Sequence, residues 1–356
     1  MNAGAGPAVL IVGPSWVGDM VLAQSLFKLL KQREPDCALD VLAPAWTLPL
    51  LGFMPEVRSG LALPLGHGQL GLGVRYRLGL ALRAKAYRRA IVLPNAWKTA
   101  LIPFWARIPV RTGYRGEQRW GLLNDLRRLD EQRLPMTVQR FAALGLPAAA
   151  ELPPLPRPTL ITTPEQLAQT VARLSAATST DQPILALCPG AEYGPAKRWP
   201  AAHFAAVANA KLAQGWAVWL LGSAKDSELT GVIDTLSGKR CLDLAGKTSL
   251  AEAVNLLSLA SVVVSNDSGL MHVAAALERP LLALYGSSDP RHTPPLGARA
   301  RTLSLNLPCS PCFRRECPLG HLDCLRKLES ARVLEAIEGF SLSSSTHSAM
   351  AAERAG

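Results

Sequence analysis

Short apolar runs separated by amphipathic stretches are the first regularity of this chain. Ala8 to Gly13, Leu39 to Ala43 and Ala90 to Pro94 read as buried strands, and Val57 to Leu63 as a further extended segment. Helical spacing of apolar positions runs from the loop Gly13 to Asp19 as far as about Arg33. It returns over Trp46 to Met54, Leu70 to Lys85 and Pro135 to Leu144. Arg111 to Gly116 reads as a turn carrying two arginines.

The pattern then stops and restarts. Pro147 to Pro158 is too rich in proline for regular structure, since proline lacks the amide donor and biases its neighbours toward extended geometry. After this semi-rigid linker come a helix from Thr163 to about Ala177, a strand Pro183 to Cys188, a helix Ala201 to Gln214 and a strand Trp216 to Leu221. Helices over Asp226 to Leu236 and Leu250 to Leu259 follow. Strands Ser261 to Ser265 and Pro280 to Tyr285 flank a small-residue helix ending near Leu277, and a last helix covers Ala331 to Ile337. The expected fold class is α/β, with two doubly wound, Rossmann-like halves. The expected boundaries are 1–146, a linker at 147–158, a second domain at 159–340 and a disordered Ser/Ala-rich tail at 341–356.

At 356 residues the chain is long enough for two cores. No apolar run reaches the eighteen or so residues of a membrane span, and no basic region leads into a signal-like core, so a cytoplasmic location is expected. The net charge of +11 is concentrated between Arg75 and Arg140. Such a face attracts nucleic acid, an anionic membrane surface or a phosphorylated substrate, unless it is simply a solvated arginine-rich surface. No helix-turn-helix pattern, aromatic RNP pair or zinc-finger spacing accompanies it, which sets nucleic acid behind the other two.

Candidate chemistry lies in loops after the strands. Gly13 to Asp19, with Gly18 inside, is neither a dinucleotide fingerprint nor a P-loop. Trp97 and Lys98 follow a strand and are placed to touch a sugar or phosphate. Pro189 to Pro200 brings Lys197 and Arg198 after a glycine-rich turn, charges suited to a diphosphate, with Glu192 and Tyr193 as further candidates. Asp226, after Gly222, is placed to accept from ribose hydroxyls. In Asn266-Asp267-Ser268-Gly269 the free N–H groups of a helix N-terminus offer a phosphate seat, although Asp267 or Ser268 can equally be a plain helix cap. His272 lies one turn further on and faces a ligand or packs in the core.

Gly18-Asp19, Pro189-Gly-Ala-Glu-Tyr-Gly-Pro-Ala-Lys-Arg-Trp-Pro200, Gly222-Ser-Ala-Lys-Asp226 and Asn266-Asp-Ser-Gly-Leu-Met-His272 together resemble the ADP-heptose:lipopolysaccharide heptosyltransferases of glycosyltransferase family 9, type II above all. The resemblance runs from about Val9 to Leu328. It implies a GT-B architecture with the acceptor on the first domain and the nucleotide sugar on the second. It also implies inverting transfer of heptose from ADP-heptose to the first heptose of the lipopolysaccharide inner core. The basic first half then suits reversible association with the anionic inner face of the inner membrane, and a cation with helix N–H groups at the diphosphate makes a catalytic metal unnecessary, so no cofactor is expected. On that resemblance Asp19 is the base and Asp267 contacts the heptose, while Lys197 with the N–H groups at Ser268 and Gly269 is suited to hold the diphosphate and His272 faces the heptose or phosphate or packs in the core. Asp19 as a simple helix cap is the plain alternative. Competing functions are another GT-B sugar-nucleotide enzyme, an epimerase or hydrolase included, and a non-catalytic nucleotide-sugar or anionic-lipid binder.

Cys37, Cys188 and Cys241 sit singly in apolar surroundings and read as reduced, buried thiols. Cys309, Cys312, Cys317 and Cys324, with His321 among them, are spaced for a structural zinc or for a packed cysteine loop.

Overall fold

The computed structural model describes residues 8–66, 68–174 and 182–340. It divides into two compact units, Met1–Ile161 with Arg291–Thr293, and Thr162–Pro290 with Pro294–Gly356.

In the first unit the order is β1 (Ala8–Val12), α1 (Val17–Arg33), β2 (Ala38–Pro44), α2 (Leu48–Leu51), β3 (Val57–Leu63), α3 (Leu72–Leu82), β4 (Arg89–Val92), α4 (Leu101–Trp105), β5 (Val110–Tyr114), β6 (Asp125–Arg127) and α5 (Thr137–Ala143). The six strands form one parallel sheet in the order β3-β2-β1-β4-β5-β6. That is the doubly wound order, with the crevice for ligands outside the carboxyl ends of the strands. Central β1 is apolar throughout and buried on both faces, Val9, Leu10 and Ile11 being fully buried. Edge strand β3 alternates half-buried and exposed positions.

The second unit repeats this plan. Its elements are α6 (Pro164–Arg173), β7 (Ile184–Cys188), α7 (Ala201–Ala213), β8 (Ala217–Leu220), α8 (Ser227–Leu236), β9 (Leu242–Asp243), α9 (Leu250–Leu259), β10 (Val262–Asn266), α10 (Gly269–Ala276), β11 (Leu281–Leu284), β12 (Ala300–Leu303) and α11 (Asp323–Arg326). Its parallel sheet runs β12-β11-β10-β7-β8-β9, the same winding read from the other edge. The core beneath it gathers Leu187, Trp199, Phe204, Val264 and Leu284, and a helical stretch over 330–340 adds Val333 and Ile337.

Several expectations change. Arg111 to Gly116 is not a turn: β5 runs through Val110–Tyr114, and the Thr112 hydroxyl donates to Asp125 on β6 at 2.8 Å. The polar arginines hid this strand. The short edge strands β6, β9 and β12 were also hidden, being too brief and too polar to show alternation. The helix expected over Trp46 to Met54 shrinks to α2. The helix expected to reach Ala177 is described as far as Arg173, and the tail from Ser341 lies outside the described residues.

The basic run is partly internal. Arg75 and Arg119 are buried at 3% and 1% exposure. Arg75 donates to the carbonyls of Leu70 and Lys98 at 2.6 and 3.2 Å, and Arg119 to Pro94 O at 2.7 Å and to Tyr114 O. Arg111 and Arg127 likewise spend donors on loop and helix-end carbonyls. These arginines close loops, which leaves a smaller charged surface than the sequence implies.

Candidate functional site

In the second unit three loops leave the carboxyl ends of β7, β8 and β10, and Asn266 ties two of them together. Standing at the end of β10, its side chain donates to Pro189 O at 2.7 Å and accepts from Trp199 N at 3.1 Å. It thereby clasps both ends of the 189–199 loop. Trp199 is fully buried, its indole N–H donating to Leu328 O at 2.8 Å. The turn between these anchors, Pro195–Lys197, presents Lys197.

The Lys197 ammonium lies 2.5 Å from Asp267 Oδ2, the two side chains being 18% and 6% exposed. It also stands 5.2 Å above the centre of the Tyr193 ring. Asp267 immediately precedes Ser268, the N-cap of α10. Ser268 makes no side-chain capping bond and instead lies 3.2 Å from the Ser265 hydroxyl, so the plain capping reading of this turn is not realised. The first N–H groups of α10 therefore have neither an intrahelical partner nor a side-chain cap. A cation and open helix N–H groups side by side make an anion seat.

His272, on the first turn and a half of α10, is 6% exposed and its Nδ1 has no partner. Burial drives its pKa down to about 4; Asp267 opposes the shift and Lys197 adds to it. It is a neutral imidazole beside the ion pair.

Asp226 is committed to its own turn. Its Oδ2 accepts from Ser223 N and Oγ at 2.9 and 2.8 Å in a capping box, while Arg198 stands 3.9 Å from Oδ1. A Cβ on Gly190 would lie 2.5 Å from the Asp226 carboxyl carbon, so only glycine lets this carboxylate lie against the 189–199 loop. Glu192 pairs with Lys225 at the surface. Cys188 below is buried, and its thiol is pushed up to about 12 by burial.

The cysteine segment braces the lysine turn. Arg315 O accepts from Ala196 N at 3.0 Å, Phe313 O accepts from the Tyr193 hydroxyl at 2.9 Å, and the Arg315 guanidinium lies 5.3 Å from the Tyr193 ring centre. Cys309, Cys312, Cys317, His321 and Cys324 line one small apolar pocket with Ala196 at its wall. The backbone N–H of Leu322, with those of Leu319, Gly320 and His321, holds the Cys317 thiol below its ordinary value. Among the described residues no group of three or more His, Cys, Asp or Glu is placed to hold a metal ion. All seven cysteines are free thiols; Cys37 is buried and Cys241 half-buried.

In the first unit Asp19 is the third residue of α1, behind N-cap Trp16, which makes no side-chain cap bond. An acidic residue there sits favourably in the helix dipole. Gly18 beside it is buried. Trp97 and Lys98 form a 3₁₀ turn after β4; the Lys98 ammonium donates to Gly68 O at 2.7 Å and Trp97 is 36% exposed.

Asn266, Phe313 and Arg315 carry structure here that their residue types did not announce. A polar residue closing an apolar strand was the one available signal for Asn266.

A family model described as glycosyltransferase family 9 (heptosyltransferase) matches residues 75–323. The chain is 47% identical to lipopolysaccharide heptosyltransferase 2 of Salmonella typhimurium, over 92% of this chain and 96% of that protein. It is 46% identical to the Escherichia coli protein of the same name, over 94% and 98%. The solved structure of E. coli ADP-heptose lps heptosyltransferase II superposes with a TM-score of 0.85 at 43% identity, covering 95% of this chain and 99% of that one.

Proposed function

The chain belongs to glycosyltransferase family 9, the heptosyltransferases, and from that membership we propose that it moves L-glycero-D-manno-heptose from ADP-heptose to the first heptose of the lipopolysaccharide inner core. It is a glycosyltransferase of GT-B type, with the acceptor taken by the first unit and the nucleotide sugar by the second. It works in the cytoplasm, held peripherally to the anionic inner face of the inner membrane. In keeping with this, no described helix is long and apolar enough to cross a membrane.

The observation that carries the reading is the anion seat at α10, where Lys197 stands beside open helix N–H groups. The acceptor oxygen attacks the anomeric carbon from the face opposite ADP. The new carbon–oxygen bond forms as the bond to the β-phosphate breaks, and ADP leaves with that electron pair. Lys197 and the N–H groups at Ser268 and Gly269 stabilise the charge that develops on the diphosphate, which makes a divalent ion unnecessary. Asp19 takes the acceptor proton. Asp267 and neutral His272 address hydroxyls of the donor heptose, and the ribose hydroxyls fall to Asp226 Oδ1, the oxygen its capping box does not use.

Incubation of the purified protein with ADP-heptose and heptosyl-Kdo2-lipid A tests this. The expected product is the acceptor lengthened by one heptose, with ADP released in equal amount. ADP release without lengthening, or no turnover, defeats the reading.

A further inference from the structure

In the first unit, the loops that follow the carboxyl ends of four strands each present a tryptophan to solvent. Trp16 follows β1, Trp46 follows β2, Trp97 follows β4 and Trp120 follows β5. Their exposures are 45, 43, 36 and 59%, and among the described residues no other tryptophan is comparably exposed. Every strand of this sheet is parallel, so all four indoles lie on one edge of it.

The loops are joined. The Trp46 indole N–H donates to Ser15 O at 2.9 Å, tying the second loop to the first. Trp97 N donates to Glu117 at 3.0 Å, and a Cβ on Gly116 would meet Asn95 O at 2.6 Å, so the β4 and β5 loops pack closely. Buried Arg119 stiffens that junction from below through Pro94 O and Asn95. Cations accompany two of the rings: Arg115 lies 5.6 Å from the Trp120 ring centre, and Lys98 follows Trp97 in the same turn, its ammonium held on Gly68 O. Trp16 stands three positions before Asp19 at the start of α1.

Solvent-exposed indoles gathered on one edge are costly unless a ligand covers them, and a rigid ring gives large contact area at low conformational cost. A pyranose has an apolar C–H face and a polar rim. It therefore stacks on an indole while its charged substituents reach a neighbouring cation.

We propose that Trp16, Trp46, Trp97 and Trp120, with Arg115 and Lys98, form a stacking platform for the anionic oligosaccharide headgroup of the glycolipid acceptor. This rests on the reading of the first unit as the acceptor side. The platform recognises the sugar rings themselves, so it holds the headgroup whether or not acyl chains are attached.

The test is a titration of intrinsic tryptophan fluorescence with the deacylated, phosphorylated inner-core glycan, and separately with anionic phospholipid vesicles free of glycolipid. Wild-type protein is expected to respond to the glycan. Trp46→Ala, Trp97→Ala and Trp120→Ala are each expected to weaken glycan binding roughly tenfold, as the loss of one ring contact implies. Phe at the same positions should restore part of it, and ADP-heptose affinity should stay within about twofold, which reports intact folding of the second unit. Unchanged glycan affinity in all three variants overturns the platform, as does loss of vesicle binding with glycan binding intact, which would make the rim a membrane contact. Because binding is read without turnover, a protein that holds the glycan through these rings but transfers no heptose upholds the platform and defeats the proposed reaction instead.

Discussion

Lys197 and Asp267 form an ion pair 2.5 Å long at the mouth of α10, with Asp267 almost wholly withdrawn from water. Removing one partner of such a pair strands the other, whereas removing both does not. Lys197→Ala is expected to cost about 3 kcal/mol of stability through the unpaired Asp267. It should also weaken ADP-heptose binding roughly a hundredfold through the lost cation. The double variant with Asp267→Asn should recover most of the stability and none of the donor affinity. Urea unfolding and donor titration on the three proteins check this; a double variant that regains donor binding refutes the role given to Lys197.

His272 makes stability depend on pH. Burial lowers its folded-state pKa to about 4, beneath the ordinary value of 6.5, so the folded protein holds it neutral. Between those values the unfolded chain binds a proton that the folded chain does not. Its contribution is thus fully present above pH 6.5 and is lost as pH falls toward 4. The loss approaches about 1.4 kcal/mol per pH unit within that window. Unfolding of wild type and His272→Gln in urea from pH 7 to 4.5 should show this slope in wild type and a shallower one in the variant. Parallel slopes would mean that the imidazole is not held neutral.

What the sequence disclosed follows burial. Strands β1 and β7 are apolar throughout, and β2, β4 and β10 carry apolar runs interrupted only by Asp40, by Arg89 and by the closing Ser265-Asn266, so each was legible as a buried run. Edge strands β6, β9 and β12 have two to four residues and one partner, so nothing in their composition separates them from loop. At the site, Lys197, Asp267 and His272 share one neighbourhood, as loops leaving the carboxyl ends of strands in one sheet implied. The pairing of Lys197 with Asp267 was not legible, because a contact across 70 positions depends on how Asn266 clasps the 189–199 loop that carries Lys197. The brace from Phe313 and Arg315 acts mainly through backbone carbonyls, which any residue carries.

Gly194 tests that brace. An added Cβ would stand 2.6 Å from Arg315 O, the atom that receives Ala196 N, and neither side is a flexible chain end that can yield. Gly194→Ala is expected to push the Pro195–Lys197 turn off its support and to lower ADP-heptose affinity by about tenfold, as displacement of one charged contact implies. Gly231, inside α8 with open space around it, is the control. Gly231→Ala should raise stability by up to about 1 kcal/mol and leave donor binding unchanged. Equal donor affinity in the two variants would show that the cysteine segment does not position Lys197.

Asp19 carries the last prediction. As the third residue of α1 it is fixed by helix geometry, and its carboxylate is favoured there by the dipole whether or not it handles a proton. Asp19→Asn keeps the shape and removes the basicity. If the residue only supports the helix start, the change costs a fraction of a kilocalorie and transfer continues. If it accepts the acceptor proton, turnover falls by about two to four orders of magnitude while donor binding, read by ADP-heptose titration, stays near wild type. A separate observation excludes indirect damage: Asp19→Glu restores the base at a longer reach, so it should return part of the lost rate with the same donor affinity. An Asn variant with near-normal turnover would leave Asp19 a helix residue and no more.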